Sequence, residues 1–73
     1  MKTYVTFGQS HVHTINGHTI DKDCIVVLDT PSAEEGRNKA FEFFGPKFCF
    51  EYSEDQWDES KMMPYFPRGY IEL

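Results

Sequence analysis

The chain has 73 residues, 40% of them apolar and 16% aromatic, with a formal net charge of −5. That length holds one domain with a small core, burying only about 60% of its unfolded surface, and the aromatic content argues for a folded globule over a disordered tail. The acidic balance repels phosphate backbones and anionic lipid, so direct nucleic-acid or membrane binding is disfavoured and a basic partner is favoured.

In chain order, Thr3–Phe7 alternates and is rich in β-formers, which predicts a first strand stopped or bulged at Gly8. His11–Ile15 alternates again, and Asn16-Gly17 is a strong hairpin signal, because both residues tolerate the positive φ of a type I′ turn. After the polar Asp21-Lys22-Asp23, the run Cys24–Leu28 is continuously apolar. This predicts a central strand covered on both faces, or shielded on one by aromatics. Ser32 with Glu35 forms an S-x-x-E capping box, and Gly45-Pro46 is a C-terminal stop, so a main helix is expected from about Ala33 to Phe44. Its inward stripe reads Ala33, Gly36, Ala40, Phe41 and Phe44.

Phe48–Tyr52 then reads as a strand with one aromatic face. Ser53 is expected to cap a short acidic helix running through Trp57 toward Met62 or Met63, broken by Pro64 and Pro67. Gly69–Leu73 reads as a short closing strand. Residues 1–73 are therefore expected to form a single α+β domain. It has a small antiparallel or mixed sheet of about four strands and one main helix on one face. The connection through the helix permits a parallel, right-handed placement of the strands on either side of it. The opposite face has no evident cover, which makes it the expected place for a partner or for homodimerisation.

Five of the twelve carboxylates fall between Glu51 and Glu59. Glu51, Glu54, Asp55, Asp58 and Glu59 interleave with Tyr52 and Trp57, and aromatic anchors among charges are how protein interfaces are built. These seven residues are the expected partner-binding site; the competing reading is a solvated acidic face. Acid–base catalysis would need one carboxyl desolvated in a pocket, which a short surface helix does not supply. Cys24 and Cys49 sit in apolar, strand-like runs and are expected to be buried, lacking the basic neighbours that activate a thiol. No enzyme activity and no cofactor are expected. His11-x-His13 sets two imidazoles on one side of a strand, near His18, Asp21, Asp23 and Cys24. This motivates the alternative of a small metal- or ligand-binding protein centred on His11 and His13. Arg37 borders the helix stripe, either extended over the sheet with its head in water or paired with a carboxylate such as Glu51. With no signal-like opening and no apolar run near the ~18 residues of a membrane span, a cytoplasmic setting is expected.

Thr6-Phe7-Gly8-Gln9, Gly36-Arg37 with Ala40-Phe41 and Phe44-Gly45, and Lys47–Tyr52 resemble a family of small bacteriophage and prophage accessory proteins over nearly the whole chain. The resemblance implies a phage or mobile-element origin. It further implies a non-enzymatic inhibitor of a host nucleic-acid-processing or defence protein, most concretely an anti-CRISPR protein bound to an effector subunit. Carboxylates on a rigid surface would then act as a DNA mimic.

Overall fold

A computed structural model describes residues 1–73. Six strands, β1 (Lys2–Thr6), β2 (His13–Ile15), β3 (His18–Ile20), β4 (Cys24–Asp29), β5 (Phe50–Ser53) and β6 (Gly69–Glu72), surround the helix α1 (Ala33–Phe44) and the single-turn helix α2 (Glu59–Met62), which runs into a 3₁₀ turn at Met63–Tyr65. Four strands form a mixed sheet in the order β5-β1-β4-β6, and β2 and β3 form a separate hairpin. The fold is α+β, as expected.

Strand β1 lies between antiparallel neighbours β4 and β5, while β6 pairs parallel to β4. The α1 connection therefore carries the chain past β1 to the near edge, and the segment after β5 carries it back across the whole sheet to the far edge. Two crossovers of one hand that travel in opposite directions must lie on opposite faces, and they do. Thr3 and Val5 of β1 face α1, and Tyr4, between them, faces the second crossover.

The α1 side holds the main core of Val5, Phe7, Ile20, Cys24, Val26, Leu28, Ala40 and Phe44. The N-cap half of the expected capping box forms, as Ser32 Oγ accepts from the Glu35 backbone N–H at 3.2 Å without a return bond from the Glu35 carboxylate, and Gly45, at φ +60°, donates its N–H to the Phe41 carbonyl. Gly36 is required by packing, because a Cβ there would collide with the Thr3 side chain. Phe41 departs from the expected stripe. It is 46% exposed, edge-on to Phe48 with the Arg37 guanidinium 5.8 Å above its ring, whereas Phe44 is buried. Gly36, Ala40 and Phe44 already fill the width of helix face that the sheet accepts, so Phe41, one residue on from Ala40, is rotated out.

The other face is partly covered. Residues 54–68 cross it, and Ile25 and Val27, which point that way, are 0% and 5% exposed. Each such aliphatic side chain contributes about 2 kcal/mol by leaving water, and this explains why β4 is apolar at every position from Cys24 to Leu28. The surface this face presents is thus built by the crossover together with the sheet, with Phe50 and Tyr70 left exposed on it. Cys24 is buried and Cys49 exposed, both as free thiols. Cys49 departs from expectation because regular pairing begins at Phe50, leaving it at the strand's entry beside Gly8.

The hairpin turns at Asn16 and Gly17, with φ of +52° and +80°, as a type I′ turn requires. It seals one end of the core through Ile20, and the His13 ring packs against Phe7 and Phe44. The return strand His18–Ile20, too short and polar to show an apolar alternation, was not read from the sequence.

Candidate functional site

The sheet face opposite α1 presents two rows set by strand register. Tyr52, Tyr4, Val27 and Glu72 lie side by side across β5, β1, β4 and β6, and Phe50, Thr6, Ile25 and Tyr70 form the next row. On this floor the second crossover places Trp57. Its indole stacks on Tyr4 at 4.8 Å between ring centroids, with planes 8° apart, and its Nε1–H donates to the Tyr70 hydroxyl at 3.0 Å. Tyr52 and Phe66 pack at the indole's sides. The Tyr70 hydroxyl in turn donates to Glu59 Oε1 at 3.2 Å. A polarised relay therefore runs from indole to phenol to carboxylate. Burial pushes the Tyr70 phenol above its ordinary value, the indole N–H opposes this, and the Glu59 carboxylate adds to it.

The acidic residues around Trp57 are each held in place. Glu54 Oε1 accepts the backbone N–H of Lys2 at 3.2 Å, tying the start of the crossover to β1. Ser53 Oγ donates to Asp55 Oδ1 at 2.6 Å, and this bond holds the Asp55 carboxyl below the usual range. Asp58 caps α2 by accepting from the backbone N–H groups of Ser60 and Lys61. The Ser60 hydroxyl also donates to it and is the main cause of its lowered pKa. The expected helix starting at Ser53 is thereby corrected. Residues 54–56 form a turn, closed when Gln56 Oε1 accepts from the Ser53 N–H, and the helix begins only at Glu59. Asp58 is the better cap because its carboxylate accepts at both following N–H groups.

Of the seven sequence-predicted site residues, Tyr52, Glu54, Trp57 and Glu59 gather on this face. Asp55 and Asp58 are exposed along the same segment. Glu51 does not join them. It pairs in register with Val5 and so faces α1, where its Oε1 lies 4.0 Å from Arg37 Nε. That contact is the pairing considered for Arg37, and both partners retain solvent exposure.

Between Trp57 and β6 lies an open groove of about 370 Å³, lined by Tyr4, Val27, Trp57 and Tyr70 with Glu54, Glu59, Glu72 and Lys2. Lys2, Tyr4, Val27, Tyr70 and Glu72 were not identified from the sequence as site residues. The available signal was strand parity: if Val5 faces the helix, then Tyr4 faces away, with Tyr70 and Glu72 beside it once β6 is placed next to β4.

His11 precedes β2 rather than lying in it, so the two imidazoles do not share a strand face. His13 turns inward, and its Nε2–H donates to the Lys47 carbonyl at 2.6 Å. No group of three or more His, Cys, Asp or Glu side chains is arranged to hold a metal ion. No helix is long and apolar enough to cross a membrane. No protein-family model, curated protein or solved structure matches the chain.

Proposed function

We propose that this chain is a non-enzymatic binding protein that docks the face carrying Trp57, Glu54, Asp55, Asp58 and Glu59 onto a basic protein surface. The observation that carries the reading is how these carboxylates are held. Glu54, Asp55 and Glu59 accept hydrogen bonds from a backbone amide or a hydroxyl and have no cation within 4.0 Å, and Asp58 has only the exposed Lys61 at that limit. Their positions are fixed while their charge stays available to a partner, which favours fast, steered association. Fixed anionic groups suit a surface evolved to hold phosphates. Together with the resemblance to small phage accessory proteins, this favours as target a host protein that processes nucleic acid, in the cytoplasm of a phage-infected cell, with inhibition of a CRISPR effector subunit the most concrete form.

The test expresses the chain in cells whose CRISPR immunity or restriction enzyme destroys incoming phage DNA. The wild-type chain should protect that DNA. Asp55→Lys combined with Asp58→Asn, which keeps a side-chain oxygen at the α2 cap, should lose protection while circular dichroism shows a native fold. Equal protection by the folded double variant would remove the acidic segment from the function.

A further inference from the structure

The groove beside Trp57 carries charge that the molecule itself does not neutralise. Glu54, Glu59 and Glu72 line it with Lys2 as the single cation, which leaves the groove two charges negative. The five ion pairs of the chain involve none of these three carboxylates. Glu54 and Glu59 each accept one hydrogen bond from a neutral donor at one oxygen, while an ionised carboxylate has about four acceptor sites. Acceptor capacity therefore remains at the rim, above walls made by Trp57, Tyr4 and Tyr70.

We infer that this groove receives one arginine side chain of the partner, an inference that rests on the reading of this face as a protein-docking surface. A guanidinium is planar, lies against aromatic rings, and meets carboxylates with a fixed fork of N–H donors, so it uses both the walls and the rim. An ammonium uses the charge alone. The volume lies at the small end of ligand pockets and suits a single side chain rather than a helix or strand. The walls are preset, because Trp57 is held by stacking on Tyr4 and by its bond to Tyr70; little ordering is then lost on binding. Of the chain's two arginines, Arg68 is held by Asp21 at 3.2 Å, while Arg37 is exposed and 4.0 Å from Glu51; self-association of the free chain that is lost in Arg37→Gln would make a second copy the source and overturn a partner arginine.

The probe is a blocked Gly-Arg-Gly peptide, compared with Gly-Lys-Gly and with the citrulline peptide, which keeps the shape and loses the charge. Trp57 is the one tryptophan, so its indole N–H resonance reports on the groove directly. The arginine peptide should shift that resonance saturably. The citrulline peptide against the wild-type protein, and the arginine peptide against Glu54→Gln/Glu59→Gln, should each bind at least about tenfold more weakly, as loss of charge-assisted hydrogen bonds implies. Gln keeps the acceptors for Lys2 N–H and Tyr70 O–H, and Glu72→Gln, on the edge strand, gives a second variant that leaves both contacts untouched. No saturable shift, or equal binding of the citrulline peptide, overturns the inference. Equal binding of the lysine peptide overturns the arginine assignment. Peptide binding without protection of phage DNA retains the groove and removes the proposed target class. Protection that survives Glu54→Gln/Glu59→Gln but not the Asp55 and Asp58 changes retains the docking surface and removes the groove.

Discussion

The Trp57 indole lies flat on the Tyr4 phenol, 4.8 Å away, and so fastens the second crossover to the central strand of the sheet. The residue expected from the sequence to anchor a partner is thus a structural one. Trp57→Ala should lower stability by about 2–3 kcal/mol, the burial and stacking lost by a partly exposed indole. Trp57→Phe, which keeps a ring against Tyr4 but loses the bond to Tyr70, should cost about half of that. Urea unfolding followed by circular dichroism checks both. A wild-type midpoint in the alanine variant would show that residues 54–68 do not stabilise the sheet.

On the opposite face, Phe44 and Phe41 separate by burial. Phe44 is 3% exposed and edge-on to Phe7, while Phe41 is 46% exposed. Phe44→Ala should cost about 3–5 kcal/mol, a large share of what so small a domain has. Phe41→Ala should cost about 1 kcal/mol, through its contacts with Phe48 and the Arg37 stem. Thermal melts of the two variants give the order, and equal losses would place Phe41 in the core after all.

The main helix was legible because its limits are local chemistry: Ser32 at one end and Gly45-Pro46 at the other act within a few residues. The Asn16-Gly17 turn and the doubly covered Cys24–Leu28 strand were legible for the same reason. What covers the second face was not. Glu54 and Trp57 read as part of a short acidic helix capped by Ser53 because their decisive partners, Lys2 and Tyr70, lie 52 and 13 residues away in the chain. Phe41 was misplaced for a related reason. Helical spacing allows a stripe one residue wider than the sheet accepts, and only the close approach at Gly36 fixes the helix rotation.

That approach gives a third prediction. The Thr3 hydroxyl is buried without a hydrogen-bond partner, facing Gly36. Thr3→Val should therefore raise stability by about 1 kcal/mol, since it removes an unsatisfied polar group at nearly constant shape. Gly36→Ala should lower stability despite a helix-propensity gain of about 1 kcal/mol, because the added methyl meets the Thr3 side chain. Combining Gly36→Ala with Thr3→Ala should recover only part of that loss, since it removes the Thr3 hydroxyl but leaves the residue 3 Cβ 2.9 Å from the new methyl. Denaturation of the wild type, Gly36→Ala, Thr3→Ala and their double variant completes the cycle, and strict additivity would mean the helix shifts freely at this point.

The final prediction concerns acid. Asp21, Asp55 and Asp58 all titrate below their ordinary value of 3.8. For Asp21 the main cause is the Asp23 backbone N–H, with Arg68 adding to it; for Asp55 and Asp58 it is the hydroxyl of Ser53 or Ser60. A carboxylate depressed in the folded state contributes stability that is fully present above the unfolded value and lost as pH falls through the folded one. Stability should therefore hold from neutrality to about pH 5 and decline below about pH 4. Asp58→Asn, which keeps an N-cap oxygen but cannot titrate, should flatten that decline by lowering stability at neutral pH while leaving it nearly unchanged in acid. Urea unfolding at half-unit pH steps measures it. A decline that instead begins well above about pH 5 would show that groups other than these three aspartates set the acid response.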